Sequence, residues 1–454
     1  MAADWNFFLS LQAGGSAWPA ERNAAGRADP DFIPTILMHM TKNPLHIAII
    51  GGGAAGFFAA VTAKDKWPEA RVVIYERNRN VLAKVLVTGG GRCNLTNSFE
   101  QITDLRQAYP RGHRQLKRWF RHFDHRQTYA WFERKGVPLV TQADACVFPR
   151  SQQSASVADC LVGEARRTGV EIRTGCRLER MTQTADCAWE LLFGNGETVC
   201  ADRVAVTTGG APKASLLRHL DGLGHRVEAP VPSLFTFDMA DRALRSLMGT
   251  VVGEASVSIP STKFQASGPL LITHWGMSGP AILKLSSYAA RHLHECGYRS
   301  AMSVCWLPAL RRSEVEEMLV RLGASHPQRQ LGSQRPQALP SRLWSYLLSK
   351  GGLDEGKRWA ELGRKGFNRL VELLTNDCYE ITGRGTFKEE FVTCGGISLS
   401  EIDLNTMESK RCPHLFFAGE VLDIDGITGG FNLQAAWTTG YLVGQHIGCQ
   451  ESEG

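Results

Sequence analysis

No two of the 12 cysteines stand as a C-x-x-C pair. That absence speaks against zinc ribbons and secreted disulfide scaffolds, and with Cys146 and Cys160 the nearest other thiols to Cys93 it argues against the dithiol of a flavin disulfide reductase unless the fold brings a distant cysteine close. The scattered thiols read as reduced cysteines of a cytoplasmic protein. No run of 18 or more apolar residues occurs, so nothing has the length of a membrane helix. Charge of one sign is scarce too. The 51 Lys and Arg stand against 45 Asp and Glu, a net +6 that reads as spread along 454 residues. That balance suits an anionic cofactor. Nucleic-acid binding usually needs a basic stripe on one face, so no nucleic-acid partner is expected, nor a membrane or a metal.

What is present begins after residue 44. Residues 1–44 sustain neither a helical nor a strand period, and their short apolar burst follows Asp4 rather than a basic segment. They read as a disordered lead, or as a start placed too far upstream. From Leu45 the chain reads strand, tight turn, helix, strand. The turn carries Gly51, Gly53 and Gly56 in G-x-G-x-x-G spacing. Gly51 allows the turn, Gly53 lets backbone approach a pyrophosphate, and Gly56 lets helix and strand pack closely. Ala54 and Ala55 open the helix, whose N-terminal N–H groups favour phosphates. Glu76 closes the second strand, 20 residues after Gly56, followed by Arg77. Its carboxylate suits ribose hydroxyls and repels a 2′-phosphate. Together these features specify a dinucleotide site.

A second triplet, Gly89 to Gly91, lies in "VTGGGRCNLTN". It lacks the first motif's spacing and reads as a loop whose backbone passes close to something flat or phosphorylated. Arg92 can pair with a phosphate or stack on a ring.

At these residues the chain resembles a known group of bacterial flavoproteins, described as BaiN-like or aminoacetone-oxidase-like. The shared blocks are "GGGAAG", "GGGRCNLTN", "VFPRSQQSASV", "HWGMSGPAIL", "TCGGISLSEIDLNTMESK" and "LFFAGEVLDIDGITGGFNLQAAWTTGYLVG", in that order, over about residues 45–446. Phe431 stands where a tyrosine is common, and Thr88 where a serine is. The resemblance implies FAD, with both glycine loops on one cofactor. Lys84, Thr88, Gly90, Gly91, Arg92, Cys93 and Asn94 would then lie along the ribityl and flavin region, and the backbone near Leu178 would meet the adenine. Thr208, Gly209 and Gly210 return the chain to the nucleotide. Gly419 and Glu420 fall near the ribityl chain. Gly429, Gly430, Asn432 and Leu433 set a helix N-terminus at the flavin's pyrimidine edge, where a side chain at Gly430 would push backbone and flavin apart.

The expected fold is α/β: a Rossmann-like, glutathione-reductase-like FAD-binding domain with an inserted β domain carrying a helical subdomain. The boundaries read 45–232 and 394–454 for the FAD-binding domain, and 233–393 for the insertion. "GVEIRTGCRLERM" reads as a strand pair, Ser278 as the N-cap of a helix, and "FKEEFVT" as a strand. His274 is a candidate proton donor. The favoured function is NAD(P)H-driven reduction of a small organic substrate, such as a conjugated C=C bond, with NAD(P)H a transient donor. The alternative is an oxidase of an amine or amino-ketone using O2. Modification of RNA stands third.

Overall fold

In the computed structural model, residues 44–185, 188–211, 220, 222–385 and 392–449 are described. The lead (residues 1–43) and most of "FKEEFVT" lie outside them. Strand β1 (His46–Ile50) is buried along its whole length, as a parallel strand covered on both faces must be. Helix α1 (Ala54–Lys66) and strand β2 (Arg71–Glu76) follow, and β2 pairs parallel to β1. Next come α2 (Ala83–Gly91), β3 (Thr96–Asn97), α3 (Leu105–Ala108), α4 (His113–Trp119), α5 (His125–Arg134), β4 (Leu139–Thr141), β5 (Cys146–Pro149) and α6 (Ala155–Thr168). Strand β6 (Glu171–Thr174) returns to pair with β2.

Strands β7 (Leu178–Thr182), β8 (Trp189–Phe193) and β9 (Thr198–Ala201) form a separate antiparallel meander. The expected strand pair over 170–181 is therefore two strands in two sheets, parted at Gly175, whose φ is +75°. Strand β10 (Arg203–Val206) lies between β1 and β20 (Leu415–Phe417), so the parallel sheet runs β20-β10-β1-β2-β6. Strand β1 thus has its sequential partner on one side and a late-arriving strand on the other. Ligands of open α/β sheets bind where the order reverses like this.

Helix α1 is wedged between that sheet and the C-terminal helix (Phe431–His446), with nine of its residues buried. Two glycines of the C-terminal helix make the contact. A Cβ on Gly440 would lie 2.6 Å from the Ala55 carbonyl oxygen, and one on Gly444 2.7 Å from that of Ala59. Phe58, Phe123, Phe132 and Trp437 fill the far side of the interface.

Strands β11 (Val227–Ser233) and β19 (Val392–Ile397) pair antiparallel and carry the chain into and out of the inserted domain. That domain is a seven-stranded sheet. It comprises β12 (Phe237–Asp238), β13 (Val251–Ser258), β14 (Gln265–Ile272), β15 (Gly276–Ser278), β16 (Ser300–Cys305), β17 (Asp377–Ile381) and β18 (Gly383–Arg384), in the order β17-β16-β13-β14-β15-β12-β18. Helices Arg312–Ser325, Ser341–Lys350 and Gly363–Thr375 share its core through Leu319, Trp344 and Leu374. Ser278 does not cap a helix. It ends β15 opposite Leu271, and Gly279 is the N-cap of the helix Pro280–Tyr288. No helix among the described residues is long and apolar enough to cross a membrane.

Candidate active site between two glycine loops

The first glycine loop closes the carboxyl end of β1. A Cβ on Gly51 would stand 2.6 Å from the Thr207 carbonyl oxygen, and one on Gly56 would collide with the Gly51 carbonyl and sit 2.7 Å from Thr207 Oγ1. Both therefore serve close packing. Gly53 differs: nothing lies within 4 Å of the place its Cβ would take. As N-cap of α1 it brings no side chain to cap the helix. Ala54 and Ala55 therefore start an open N-terminus, which favours an anion. Glu76 is 8% exposed at the tip of β2. It accepts hydrogen bonds from Gly52 N–H and from Asn78 N–H and Nδ2, each 2.8 Å. Arg77 is exposed beside it. A carboxylate offers about four acceptor positions, so Glu76 is fixed by protein donors with capacity left for a ribose hydroxyl.

The second triplet leaves the helical conformation, as expected of a loop: Thr88 before it is already extended, with ψ of +148°. It ends α2, whose last residues Gly89, Gly90 and Gly91 take φ of +59°, +67° and +84°. Three consecutive left-handed residues are a conformation that only glycine adopts freely. Gly90 and Gly91 face open space, whereas a Cβ on Gly89 would stand 2.9 Å from Asn94 N. Leu82 N–H donates to the Gly52 carbonyl at 2.8 Å, so α2 starts against the first loop. Thr88 Oγ1 turns back to the Val85 carbonyl. Arg92 stacks on Phe148, 4.4 Å from guanidinium carbon to ring centre, and donates to the Gly89 carbonyl.

Cys93, expected beside the flavin, is fully buried, and burial pushes its thiol up to about 12. Its side chain packs beneath the loop, beside Thr88. Leu178 is half-buried at the start of β7.

The far wall comes from the C-terminal half. Glu420 Oε2 accepts from Lys84 Nζ at 3.0 Å, and its Oε1 from Thr393 N–H at 2.7 Å. Gly210 lies against the same carboxylate, since a Cβ there would be 2.6 Å from Glu420 Oε1. Thr208 is exposed, and Gly209 faces open space. Gly419 meets the first loop, its added Cβ 2.8 Å from Ala55 Cβ. Asn94, in the amide orientation that satisfies both ends, donates to the Thr96 carbonyl (3.1 Å) and accepts from Gly430 N–H (3.3 Å).

Gly430 is also constrained by the protein around it. Its φ is +86°, and a Cβ would collide with the Thr96 carbonyl and stand 2.8 Å from the Asn94 side-chain amide. Protein backbone by itself already excludes a side chain here. Asn432 clamps Gly426 from both ends of its amide. Leu433 packs against the core. Phe431 is 3% exposed, its ring edge-on to Phe99 and Tyr109. No side chain caps the C-terminal helix, so its N-terminus stays open beside Asn94.

His274 sits exposed in the β14–β15 turn, its ring 4.2 Å from that of Trp275. Among the described residues no hydrogen bond joins it to either glycine loop. Two groups the motifs did not single out stand where the domains meet. Burial pushes the Cys146 thiol up to about 11, with the Asn94 amide beside it pulling the other way. Burial lowers the Lys284 ammonium, and a charged Cys146 or Glu254 would oppose that shift. Lys284 lies on the inserted domain's helix Pro280–Tyr288, far in sequence from any glycine motif. Only the fold brings it within electrostatic reach of Cys146.

Two uncapped helix N-termini and four glycines facing open space (Gly53, Gly90, Gly91 and Gly209) fit a long, phosphorylated, planar cofactor. The family model described as HI0933-like protein Rossmann domain matches residues 45–446. The chain belongs to this family. In line with that, the HI0933-like chain is a FAD-dependent oxidoreductase. It is 30% identical over 407 residues to a 3-dehydro-bile acid delta(4,6)-reductase of Clostridium scindens, spanning 88% of this chain and 98% of that protein. It is 28% identical over 415 residues to a ribosomal RNA dihydrouridine synthase of Escherichia coli, spanning 88% and 97%. A solved 3-ketosteroid-delta4-(5alpha)-dehydrogenase from Rhodococcus jostii RHA1 covers 91% of this chain and 99% of its own, at 14% identity and a TM-score of 0.48.

Proposed function

We propose that this protein reduces a carbon–carbon double bond conjugated to a carbonyl, with NAD(P)H as electron donor, in the cytoplasm. The observation that carries the reading is the open N-terminus of the C-terminal helix, held beside the second glycine loop by Asn94. A helix N-terminus carries roughly half a positive charge. Placed there, it stabilises the negative charge that develops when electrons enter a ring or an enolate. FAD held by the Gly51–Gly56 loop, Glu76 and the second glycine loop would supply two-electron hydride chemistry between NAD(P)H and the β-carbon of the substrate. The α-carbon then needs a proton. Cys146, which pairs opposite Asn97 just after the second glycine loop and whose thiol burial keeps protonated, is the candidate donor in this reading. Cys93 is too buried to relay electrons as a thiolate.

The names of the two relatives share this bond chemistry. One is a reductase of unsaturated bile acids, and dihydrouridine is uridine with its ring double bond reduced. A free small molecule is the first reading of the substrate. A uracil ring within RNA is the second, favoured by an exposed basic stretch between residues 106 and 135. Anaerobic stopped-flow mixing with NADH and NADPH tests the donor through bleaching of the flavin. The reduced protein is then mixed with conjugated enones and with uridine-containing RNA. Reoxidation by none of these, but rapid reoxidation by O2 with amine turnover, would replace the reductase with the oxidase.

A further inference from the structure

The whole chain carries +6, yet one stretch of 30 residues carries more. Between Arg106 and Lys135 stand nine Lys and Arg against two acids, Asp124 and Glu133. That is +7, so the other residues sum to −1. The charge is concentrated, not dispersed.

The fold turns this stretch outward. Arg114, Lys117, Arg118 and Arg121 are exposed on α4 and the turn after it. Spacings of three and four place them on one helical face. Leu116, Trp119 and Phe123 recur on the opposite face and are buried. Arg106 and Arg126 are already matched by Asp104 and Asp124, which cap α3 and α5. Arg114, Lys117 and Arg121 meet no carboxylate among the described residues. Arg118 donates to the neutral Asn405 amide, so its charge is unopposed. Anionic partners find four unneutralised cations here.

The face begins where the chain before α4 packs on the segment that leads to the Gly430 turn. A Cβ on Gly112, just before α4, would stand 2.7 Å from Ile424. Arg111 is bridged to Asp425. Ile424 and Asp425 belong to the segment that runs into the Gly430 turn. From there α4 leads the cations away over the surface. The same face does not suit a lipid surface, because the apolar side of α4 is spent in the core and no apolar residues accompany the charges. A run of cations without an apolar partner suits phosphates that are themselves regularly spaced.

We propose that this face docks the phosphate backbone of a structured RNA, so that a uracil reaches the crevice. The proposal rests on the second substrate reading above. The test compares three full-length FAD-loaded proteins: wild type, R114E/K117E/R121E, and a control triple of equal charge change, R364E/K365E/R369E, on the exposed side of the helix Gly363–Thr375. Binding to a transcribed ribosomal RNA stem-loop with a uridine-containing loop is measured across a salt series. Melting curves and FAD content confirm that the variants are folded. Wild type and control triple should bind alike. The face variant should bind at least about tenfold more weakly near 0.1 M salt. The slope of log affinity against log salt should fall by about 2 to 3, as three lost phosphate contacts predict. A face variant that binds as wild type removes this face and leaves the uracil reading standing. Equal losses in both triples also remove it, because they show bulk charge alone. Failure of wild type to bind RNA overturns both. Wild-type binding to phosphatidylserine vesicles but not to RNA, lost in the face variant, reassigns the surface to a membrane.

Discussion

Arg111 and Asp425, 314 residues apart, form a two-pronged ion pair in which Asp425 is fully buried. Ser233 Oγ donates to the same carboxylate at 3.0 Å, and Arg111 also donates to the Ser287 carbonyl at 2.8 Å. One pair thus ties the chain just before α4, the segment before the Gly430 turn, strand β11 and the inserted domain's helix Pro280–Tyr288. Burial pushes the Asp425 carboxyl up, and Arg111 and Ser233 oppose it.

Removing either partner alone leaves an uncompensated buried charge. Asp425→Ala or Arg111→Met should each destabilise the fold by about 3–5 kcal/mol, and the double variant should cost less than the sum of the two. Urea denaturation of the three variants checks this. Additive losses would show that the pair contributes nothing as a pair.

Glu76→Ala should weaken FAD affinity by about ten- to a hundredfold, the equivalent of one charge-assisted hydrogen bond of roughly 1.5–3 kcal/mol. It also frees Gly52 N–H and Asn78 N–H, so the melting temperature of the apoprotein should fall as well. Titration of apoprotein with FAD separates the two effects. An unchanged dissociation constant alongside a lower melting temperature would confine Glu76 to holding the first loop.

Gly430→Asp should fail through folding, because the new Cβ meets the Thr96 carbonyl. The expected result is a lower melting temperature with loss of FAD, and not a stable protein with a shifted flavin potential. A melting curve paired with a spectroelectrochemical titration decides it. A stable, FAD-loaded variant would show that the turn can move.

Two buried histidines predict a pH dependence. His225 is 1% exposed and His46 is 9% exposed, and burial holds both below the ordinary 6.5. Above that value both are neutral, folded or unfolded, and contribute no slope. As pH falls below it, the unfolded chain takes up protons that the folded chain refuses, so stability falls. Each site contributes a slope of up to about 1.4 kcal/mol per pH unit until its lowered folded value is reached. Melting curves of wild type and His225→Gln between pH 7 and 5 test this. A variant with the wild-type slope would remove His225 from the account.

Local spacing alone determined the first glycine loop, the acid at the end of β2, the helices of the insertion and the close-packing glycines of the C-terminal helix. Each depends on contacts within a few residues or on an apolar period, and both are written along the chain. Even the basic face of α4 was legible, because its three- and four-residue spacing needs no tertiary information; a whole-chain charge count averaged it away. The tertiary structure alone decided three things. It buried Cys93, because which side of a loop faces inward depends on what packs beneath it. It gave Gly430 its constraint, because Thr96 lies more than 300 residues away in the chain. It joined Arg111 to Asp425, because that pair meets only when the two ends of the chain assemble into one domain.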